Sequence, residues 1–398
     1  MKIKLVKEAE GLLCRSLEIN YGRNSTITPI RALKIKGGER KLAYELRNGV
    51  IEVYIQLTSS RLKELRTDIN RQVDFENRIS RVVEKARRHN LVVILSSIEY
   101  RPNEELRNPY DLGQFVSELT CHPKADVVCV PLFYKVNEKV VDSIVKGFLD
   151  SALSTHCKVA LTIPKVSRDT KARLLRMYQK YINESECIMT NFLCADYDGS
   201  NPITKYSEHN FVLNVAERLE DAFEEPVVVY GANVKYSKTA RKYEEVSARD
   251  LVSSYVGVDI IAPNHRRIPM TREIAELIRD KIKPEDRKIL NVLKYKYIAL
   301  SKALGKKSLR EEHSKLILIQ KHMSNEKLVY SLVEQYNADK LLRELIHIRL
   351  LLIKDEDLRS YLLSKEGVRE DEVLMERLER YMRRASNIKK SKRITEFM

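Results

Sequence analysis

Short apolar runs recur along the chain, and most of them precede a stretch in which apolar residues have helical spacing. From Leu91 onward the runs are nearly continuous and rich in β-branched residues, and they return at roughly the repeat length of a strand–helix–strand unit. This pattern is typical of parallel strands that are buried on both faces. The predicted strands are Ile27–Ile35, Val50–Leu57, Leu91–Ser96, Asp126–Phe133, Lys158–Ile163, Cys187–Cys194, Pro226–Tyr230 and Val258–Ala262.

The segments between these runs predict helices. In Asn137–Ser151, apolar residues such as Val141 and Phe148 have helical spacing. Strands alternating with helices in this way predict an α/β fold, with a (β/α)8 TIM-like barrel domain over residues 1–283. An open, doubly wound sheet is the alternative, and the first two runs could instead form a hairpin outside the barrel. The other predicted helices of this region are Ser167–Asn183, Ser207–Glu224 and Ala248–Tyr255.

The pattern changes at Pro284, beyond which no clear strand-like run occurs. Residues 284–398 therefore predict a basic, all-helical C-terminal domain, which ends in a basic and mobile tail at Ser386–Arg393. The predicted amphipathic helices are Ile289–Leu304, Leu309–His322, Lys327–Ile353, Leu358–Leu363 and Glu370–Arg384.

The charge of the chain points to a polyanionic partner. The formal net charge is +16, from 72 Lys and Arg against 56 Asp and Glu. A surplus of this size favours nucleic acid, either RNA or DNA, through electrostatic steering and counterion release. The alternative is that a surface rich in Lys and Glu reflects adaptation to high temperature.

Several classes of protein are disfavoured by the sequence. No run approaches the roughly 18 apolar residues of a membrane span, and Met1–Leu12 lacks the apolar core of a secretion signal. We therefore expect a cytoplasmic protein with no membrane partner. The six cysteines include no Cys-x-x-Cys pair, which favours free buried thiols over a zinc site. No P-loop, Gly-x-Gly-x-x-Gly, His-Glu-x-x-His or Gly-x-Ser-x-Gly pattern occurs, and no cofactor is expected.

Two aspartates are candidate catalytic residues, because catalytic groups of barrels lie on the loops that follow the strands. Asp196 and Asp198 come directly after the sixth predicted strand, in an Asp-Tyr-Asp-Gly segment. Paired carboxylates can divide acid, base and nucleophile roles when their environments separate their pKa values, and they can also hold a divalent cation. Ordinary turn chemistry is the alternative. Asp259, within the eighth strand, is the third candidate, and a structural role is its alternative.

Basic and polar residues at strand ends are candidate contacts to nucleic acid. The segment Asn264-His265-Arg266-Arg267 places a titratable imidazole beside two guanidinium groups, which suit phosphate oxygens. A solvated basic loop is the alternative. The predicted nucleic-acid-binding residues are Lys165, Asn233, Lys235, His265, Arg266, Arg267, Arg383, Arg384, Lys389 and Lys390.

A strand end with Tyr230-Gly231-Ala232-Asn233 is followed by a helix and then by Gly257-Val258-Asp259, which leads to Pro263 and an Arg pair. This late part of the predicted barrel resembles that of tRNA-guanine transglycosylases. The early Thr28-Pro29 is similar to a Thr-Pro signature of the same family. The resemblance implies a barrel that exchanges a base in a folded nucleic acid, with one Asp as nucleophile and another as general acid/base.

The sequence departs from the family at its catalytic positions. Ala262 stands where the family has its nucleophilic Asp, Ser96-Ser97 stands near its Asp-Ser-Gly-Gly segment, and the zinc-binding cysteine cluster is missing. Either the chemistry rests on Asp196, Asp198 or Asp259, or the barrel has become a binding module.

Three functions are therefore open. The first is a nucleic-acid-binding protein with a transglycosylase-like barrel, either a base-modifying enzyme on tRNA or DNA or a catalytically degenerate relative. The second is a non-enzymatic scaffold subunit of a nucleoprotein assembly, with a protein partner bound by the C-terminal helices. The third is a metabolic barrel enzyme that grips a phosphorylated small molecule with Lys165, Lys235 and Arg266.

Overall fold

The protein consists of a small antiparallel sheet, an α/β barrel and a largely helical C-terminal region. The computed structural model describes residues 1–100, 108–184, 189–236, 243–266, 283–305 and 314–396. The strands are β1 (Lys2–Glu8), β2 (Arg15–Tyr21), β3 (Asn24–Ile27), β4 (Ile30–Lys34), β5 (Val50–Thr58), β6 (Leu91–Glu99), β7 (Val127–Cys129), β8 (Leu132–Tyr134), β9 (Val159–Ile163), β10 (Met189–Asp196), β11 (Val228–Ala232), β12 (Glu245–Ser247), β13 (Ile260–Ile261), β14 (Lys288–Asn291) and β15 (Lys296–Ala299).

The helices follow the barrel strands and then dominate the C-terminal region. They are α1 (Arg40–Glu45), α2 (Ser59–Thr67), α3 (Ile69–Arg87), α4 (Pro109–Thr120), α5 (Glu138–Ser154), α6 (Arg168–Glu184), α7 (Tyr206–Phe223), α8 (Arg249–Val252), α9 (Leu300–Gly305), α10 (Ser314–Lys321), α11 (Glu326–Ile353), α12 (Leu358–Leu363), α13 (Glu366–Arg369) and α14 (Glu372–Glu396).

The barrel is closed and its strands are parallel. Going around it, the order is β4, β5, β6, the pair β7 and β8, β9, β10, β11 and β13, and β13 pairs with β4 to complete the circle. Strand β6 begins with a continuous apolar run because both of its faces are buried, and Val92 to Leu95 are fully inaccessible to solvent. The predicted (β/α)8 barrel is confirmed. Both N-terminal runs belong to it, and the open-sheet alternative is excluded.

The sequence analysis missed the N-terminal antiparallel sheet. Strands β1, β2 and β3 pair in that order, and Leu17, Ile19 and Tyr21 of β2 form its buried face. From the first residue of β2, the Arg15 side chain reaches the barrel and binds the carboxylate of Asp259. The sheet therefore covers the amino-terminal end of the barrel.

The predicted helix Ile289–Leu304 is wrong over most of its length. Strands β14 and β15 form an antiparallel hairpin there, β12 joins it as a third strand, and α9 begins only at Leu300. The turn depends on Asn291, whose Oδ1 accepts hydrogen bonds from the amides of Leu293 and Lys294, and on Tyr295, which has a φ of 54°. A side chain that satisfies backbone amides locally competes with helix formation.

The C-terminal helices pack against the barrel. Leu345 and Ile348 of α11 are fully buried in the same apolar core as the barrel strands. Near the end of the chain, Arg384 of α14 donates to Glu217 of α7 at 2.7 Å. Helix α14 runs on to Glu396, so the segment predicted to be a mobile tail continues the helix.

The prediction of free, buried cysteines is only partly correct. Cys121 and Cys157 form a disulfide, so the expectation of free thiols is wrong for this pair, while Cys14, Cys129 and Cys194 are buried free thiols. Cys187 lies outside the described residues. Among the residues that the structure describes, no helix is both long and apolar enough to cross a bilayer.

Candidate active site at the carboxyl end of the barrel

A buried polar triangle lies where three barrel strands end. Asp196 is the last residue of β10, Tyr134 is the last residue of β8, and Asn233 follows β11. The Tyr134 hydroxyl donates to Oδ2 of Asp196, and Nδ2 of Asn233 donates to Oδ1 of Asp196 and to the Tyr134 hydroxyl, each at 2.9 Å. All three residues are buried. The strand-end rule thus locates Asp196 and Asn233 correctly and places them in contact.

The turn after β10 brings Asp198 beside two cations. Asp198 and Gly199 have φ angles of 49° and 73°, and the amide of Asp198 donates to Oδ1 of Asp196 at 2.9 Å. Oδ1 of Asp198 accepts from Nε of Arg266 at 2.6 Å, and Oδ2 is ion-paired with the ammonium of Lys165. The segment is therefore a turn, as the alternative interpretation held, and it also assembles a charged cluster.

The two carboxylates have pKa values displaced in opposite directions. Burial raises the pKa of Asp196 by more than its hydrogen bonds from Asn233, the Asp198 amide and Tyr134 lower it. Burial alone would raise the pKa of Asp198 as well, but the hydrogen bonds and positive charges of Lys165 and Arg266 outweigh it and lower that pKa. Asp196 thus holds its proton more readily than Asp198, the arrangement expected when two carboxyls divide acid/base roles.

Arg266 is held in place by three elements of the site. Its guanidinium lies 3.5 Å from the centre of the Tyr134 ring, and its amide donates to Oδ1 of Asn264 at 3.0 Å. A cation over an aromatic face is stabilised electrostatically, more strongly where water is excluded. Together with the bond to Asp198, these contacts fix a positive charge directly beside the Asp196–Tyr134 hydrogen bond.

His265 belongs to a second chain of polar groups inside the barrel. Its amide donates to Oδ1 of Asn233 at 2.9 Å, and its Nε2 contacts Oε1 of Glu52, whose Oε2 accepts from the Tyr230 hydroxyl at 2.5 Å. The imidazole stacks on Tyr54, with ring centroids 4.0 Å apart and an interplanar angle of 7°. Asn233 therefore links this chain to the Asp196 triangle.

The sequence analysis did not select Glu52, Tyr54 or Tyr230 as site residues. A signal was present in β5, where Glu52, Tyr54 and Gln56 alternate with apolar residues and so share one face of the strand. Burial raises the pKa of Tyr54 to about 12, and its hydroxyl hydrogen-bonds to Oγ of Ser97 at 2.7 Å. Tyr54 therefore stays a neutral phenol at physiological pH.

The rim of the site carries further charged residues. Nε2 of Gln56 donates to Glu99 at 3.0 Å, and Glu99 is paired with the ammonium of Lys135 at 3.2 Å. Lys165 is about half exposed. The Lys235 ammonium lies 5.9 Å from the centre of the Tyr236 ring on the loop after β11. The rim therefore offers cations to a ligand that approaches the carboxyl end.

Among the described residues, Asp259, Arg383 and Arg384 lie away from this site. Asp259 lies just before β13 at the amino-terminal end of the barrel, where Arg15 binds it. On α14, Arg383 is exposed and Arg384 is ion-paired with Glu217. Three predicted contacts fall outside the described part of the chain, namely Arg267 and the side chains of Lys389 and Lys390.

A cavity at the opposite end of the barrel is an alternative location for a site. A cavity of about 380 Å³ lies at the amino-terminal end, with Leu12, Arg15 and Leu213 among its lining residues. Hydrogen bonding and electrostatics at Asp196 are a better guide to chemistry than the position of this cavity, because active sites of such barrels lie at the carboxyl end. In the described ranges, no three His, Cys, Asp or Glu side chains are grouped as a metal site would require.

Comparisons with protein-family models and with curated proteins find no match for this chain.

Proposed function

We propose that this protein binds nucleic acid and modifies a base at the carboxyl end of its barrel, with Asp196 as the proton-transferring group. One observation carries the proposal: Asp196 and Asp198 lie on one turn and have pKa values displaced in opposite directions. Such a separation lets one carboxyl exchange a proton while the other stays ionised. The position of the pair, after β10, is where barrel enzymes carry catalytic residues.

The resemblance to tRNA-guanine transglycosylases suggests base exchange as the reaction class. In such a step, the bond between C1′ of the sugar and the base nitrogen breaks, the electron pair stays on the base, and Asp196 supplies the proton. The incoming base or water then attacks C1′ and returns its proton to Asp196. The hydrogen bonds from Tyr134 and Asn233 support the carboxylate after it has given up the proton.

The cations of the rim suit the backbone of the same substrate. Lys165 and Arg266 together exceed the charge of Asp198 by one, and both lie at the strand ends that surround Asp196. Guanidinium and ammonium groups bind phosphate oxygens through charge-assisted hydrogen bonds. The net charge of +16 adds non-specific attraction to any polynucleotide.

Replacement of Asp196 by Asn tests the proposal. The intact chain is incubated with tRNA, single-stranded DNA or double-stranded DNA, and both the uptake of labelled guanine and the release of free bases are measured. We expect activity on one polymer and a loss of about 10²–10⁴-fold in Asp196→Asn, the range that general acid–base catalysis contributes.

Asp126→Asn is the matched control. Asp126 is also a buried aspartate whose pKa is raised by burial, but it precedes β7 at the other end of the barrel and accepts from the amide of Val92 at 2.9 Å. We expect this variant to keep its activity. Equal losses in the two variants, or no base uptake or release by the unaltered protein on any of the polymers, would contradict the proposal.

A further inference from the structure

Two arginines share one aromatic ring on the outer helices that follow β5. The guanidinium carbons of Arg61 on α2 and Arg78 on α3 lie 5.1 and 5.6 Å from the centre of the Phe75 ring, which is buried. Arg61 is half-buried and Arg78 is exposed. Contact with the ring orients both guanidinium groups and leaves their N–H donors available.

This arginine pair lacks an acidic partner. Neither guanidinium forms an ion pair with a carboxylate anywhere in the described residues. The neighbouring Arg71, by contrast, is ion-paired with both Glu64 and Asp68. Burial and then the positive charge of Arg78 lower the pKa of Arg61. Two like charges held close together without compensation are stabilised when an anion binds between them.

The pair is on the same side of the barrel as the candidate active site. Helix α2 begins immediately after β5 ends, and the amide of Arg61 donates to Oγ1 of Thr58 at 3.3 Å in the first turn. The amino terminus of a helix adds a favourable field for an anion. Thr58 is in register with Glu99 of β6. The Glu99 carboxylate is ion-paired with Lys135, and Lys135 directly follows Tyr134 of the candidate site. Positive side chains therefore extend along the rim from Arg266 through Lys135 to Arg61.

We infer that Arg61 and Arg78 bind a backbone phosphate of the polynucleotide whose base is held at Asp196. The inference rests on the proposed function and adds the path of the substrate: the backbone crosses the rim over β6 and β5 and reaches α2 and α3. Each guanidinium presents a planar set of donors that matches two phosphate oxygens, and both groups lie against the Phe75 ring.

Salt titrations of binding to tRNA, single-stranded DNA and double-stranded DNA test the inference, with Arg61→Gln, Arg78→Gln and Arg71→Gln compared in the intact chain. Each variant loses one positive charge, but only Arg71 is already neutralised by carboxylates. We expect Arg61→Gln and Arg78→Gln each to reduce the slope of log K against log salt by about 1 and to weaken binding by about tenfold at low salt. Arg71→Gln should stay close to the unaltered protein. Circular dichroism melting of each variant shows whether the fold is retained.

The outcomes distinguish this inference from the proposed function. Slopes that change no more in Arg61→Gln and Arg78→Gln than in Arg71→Gln would overturn the phosphate site and leave the role of Asp196 intact. Loss of binding in the first two variants, with no base uptake or release by the unaltered protein, would support the phosphate site and refute the base chemistry. No binding of any of the three polymers at low salt would overturn both.

Discussion

Replacement of Arg15 by Met should destabilise the protein by about 3–5 kcal/mol, because it leaves the buried carboxylate of Asp259 without its counter-charge. Nε and Nη2 of Arg15 donate to the two carboxylate oxygens of Asp259, each at 3.1 Å. Nη1 also donates to Glu220, and Nη2 donates to the carbonyl of Val227, each at 2.5 Å. Asp259 is 2% exposed and would retain only the amide of Val229 as a donor. An isolated buried carboxyl can take up a proton, so the loss should shrink as the pH falls.

Urea unfolding followed by circular dichroism measures the effect, since the chain has no Trp. In a double-mutant cycle, Arg15→Met with Asp259→Asn should cost less than the sum of the two single changes, because the double variant leaves no unpaired charge from this pair. Lys7→Met is the control: Lys7 pairs with Asp355 at 2.9 Å, but the side chains are 38% and 77% exposed, so about 1 kcal/mol or less is expected. A loss in Arg15→Met no larger than in Lys7→Met, or a coupling energy near zero, would refute the reasoning.

Two further predictions concern stability. Burial lowers the pKa of His209 to about 4 from 6.5, so between these values the unfolded chain holds a proton that the folded chain lacks. Stability should therefore fall by about 2 kcal/mol as the pH drops from 6.5 to 4.5, and His209→Gln should flatten this dependence in urea unfolding at the two pH values. A methyl group at Gly113 would lie 2.0 Å from the carbonyl oxygen of Ile144 where α4 packs on α5, whereas one at Gly305 would meet nothing within 4 Å. Gly113→Ala should cost about 1–3 kcal/mol and Gly305→Ala nearly nothing in the same assay; similar losses would count against close helix packing as the cause.

Most of the barrel strands were predictable from the sequence because they are nearly continuous apolar runs, and a short run of this kind is typical of a strand that is buried on both faces. The elements that were missed have mixed patterns. In β1 and β2 apolar residues alternate with charged ones, since one face of that sheet is exposed. In β14 and β15 the apolar residues also fit helical spacing, and the deciding feature is the side chain of Asn291, which caps the turn.

The candidate site was predictable where it depends on strand ends and not where it depends on the barrel interior. Asp196, Asn233 and Arg266 were found because the carboxyl ends of parallel strands meet at one end of a barrel. Glu52 and Tyr230 lie within strands, and only the closed barrel brings them together at 2.5 Å. Asp259 was a wrong candidate for this end of the barrel. It directly precedes β13 and therefore lies at the amino-terminal end, where Arg15 neutralises it.

The C-terminal helices bear on the choice between an enzyme and a scaffold. Glu334 of α11 pairs with Lys34 at the end of β4 and accepts from the amide of Gly38 at 2.8 Å, while Arg349 of the same helix donates to the carbonyl of Ile27, just before β4, at 2.7 Å. Helix α11 thus runs along β4 as part of the outer layer of the barrel, and a chain ending at residue 283 would expose the apolar surface that it covers. A truncation would confuse loss of assembly with loss of folding. Asp196→Asn replaces one carboxyl group by an amide that cannot donate or take up the catalytic proton, and it leaves the surfaces of α11 to α14 unaltered. An assembly role would survive this change and an enzymatic role would not.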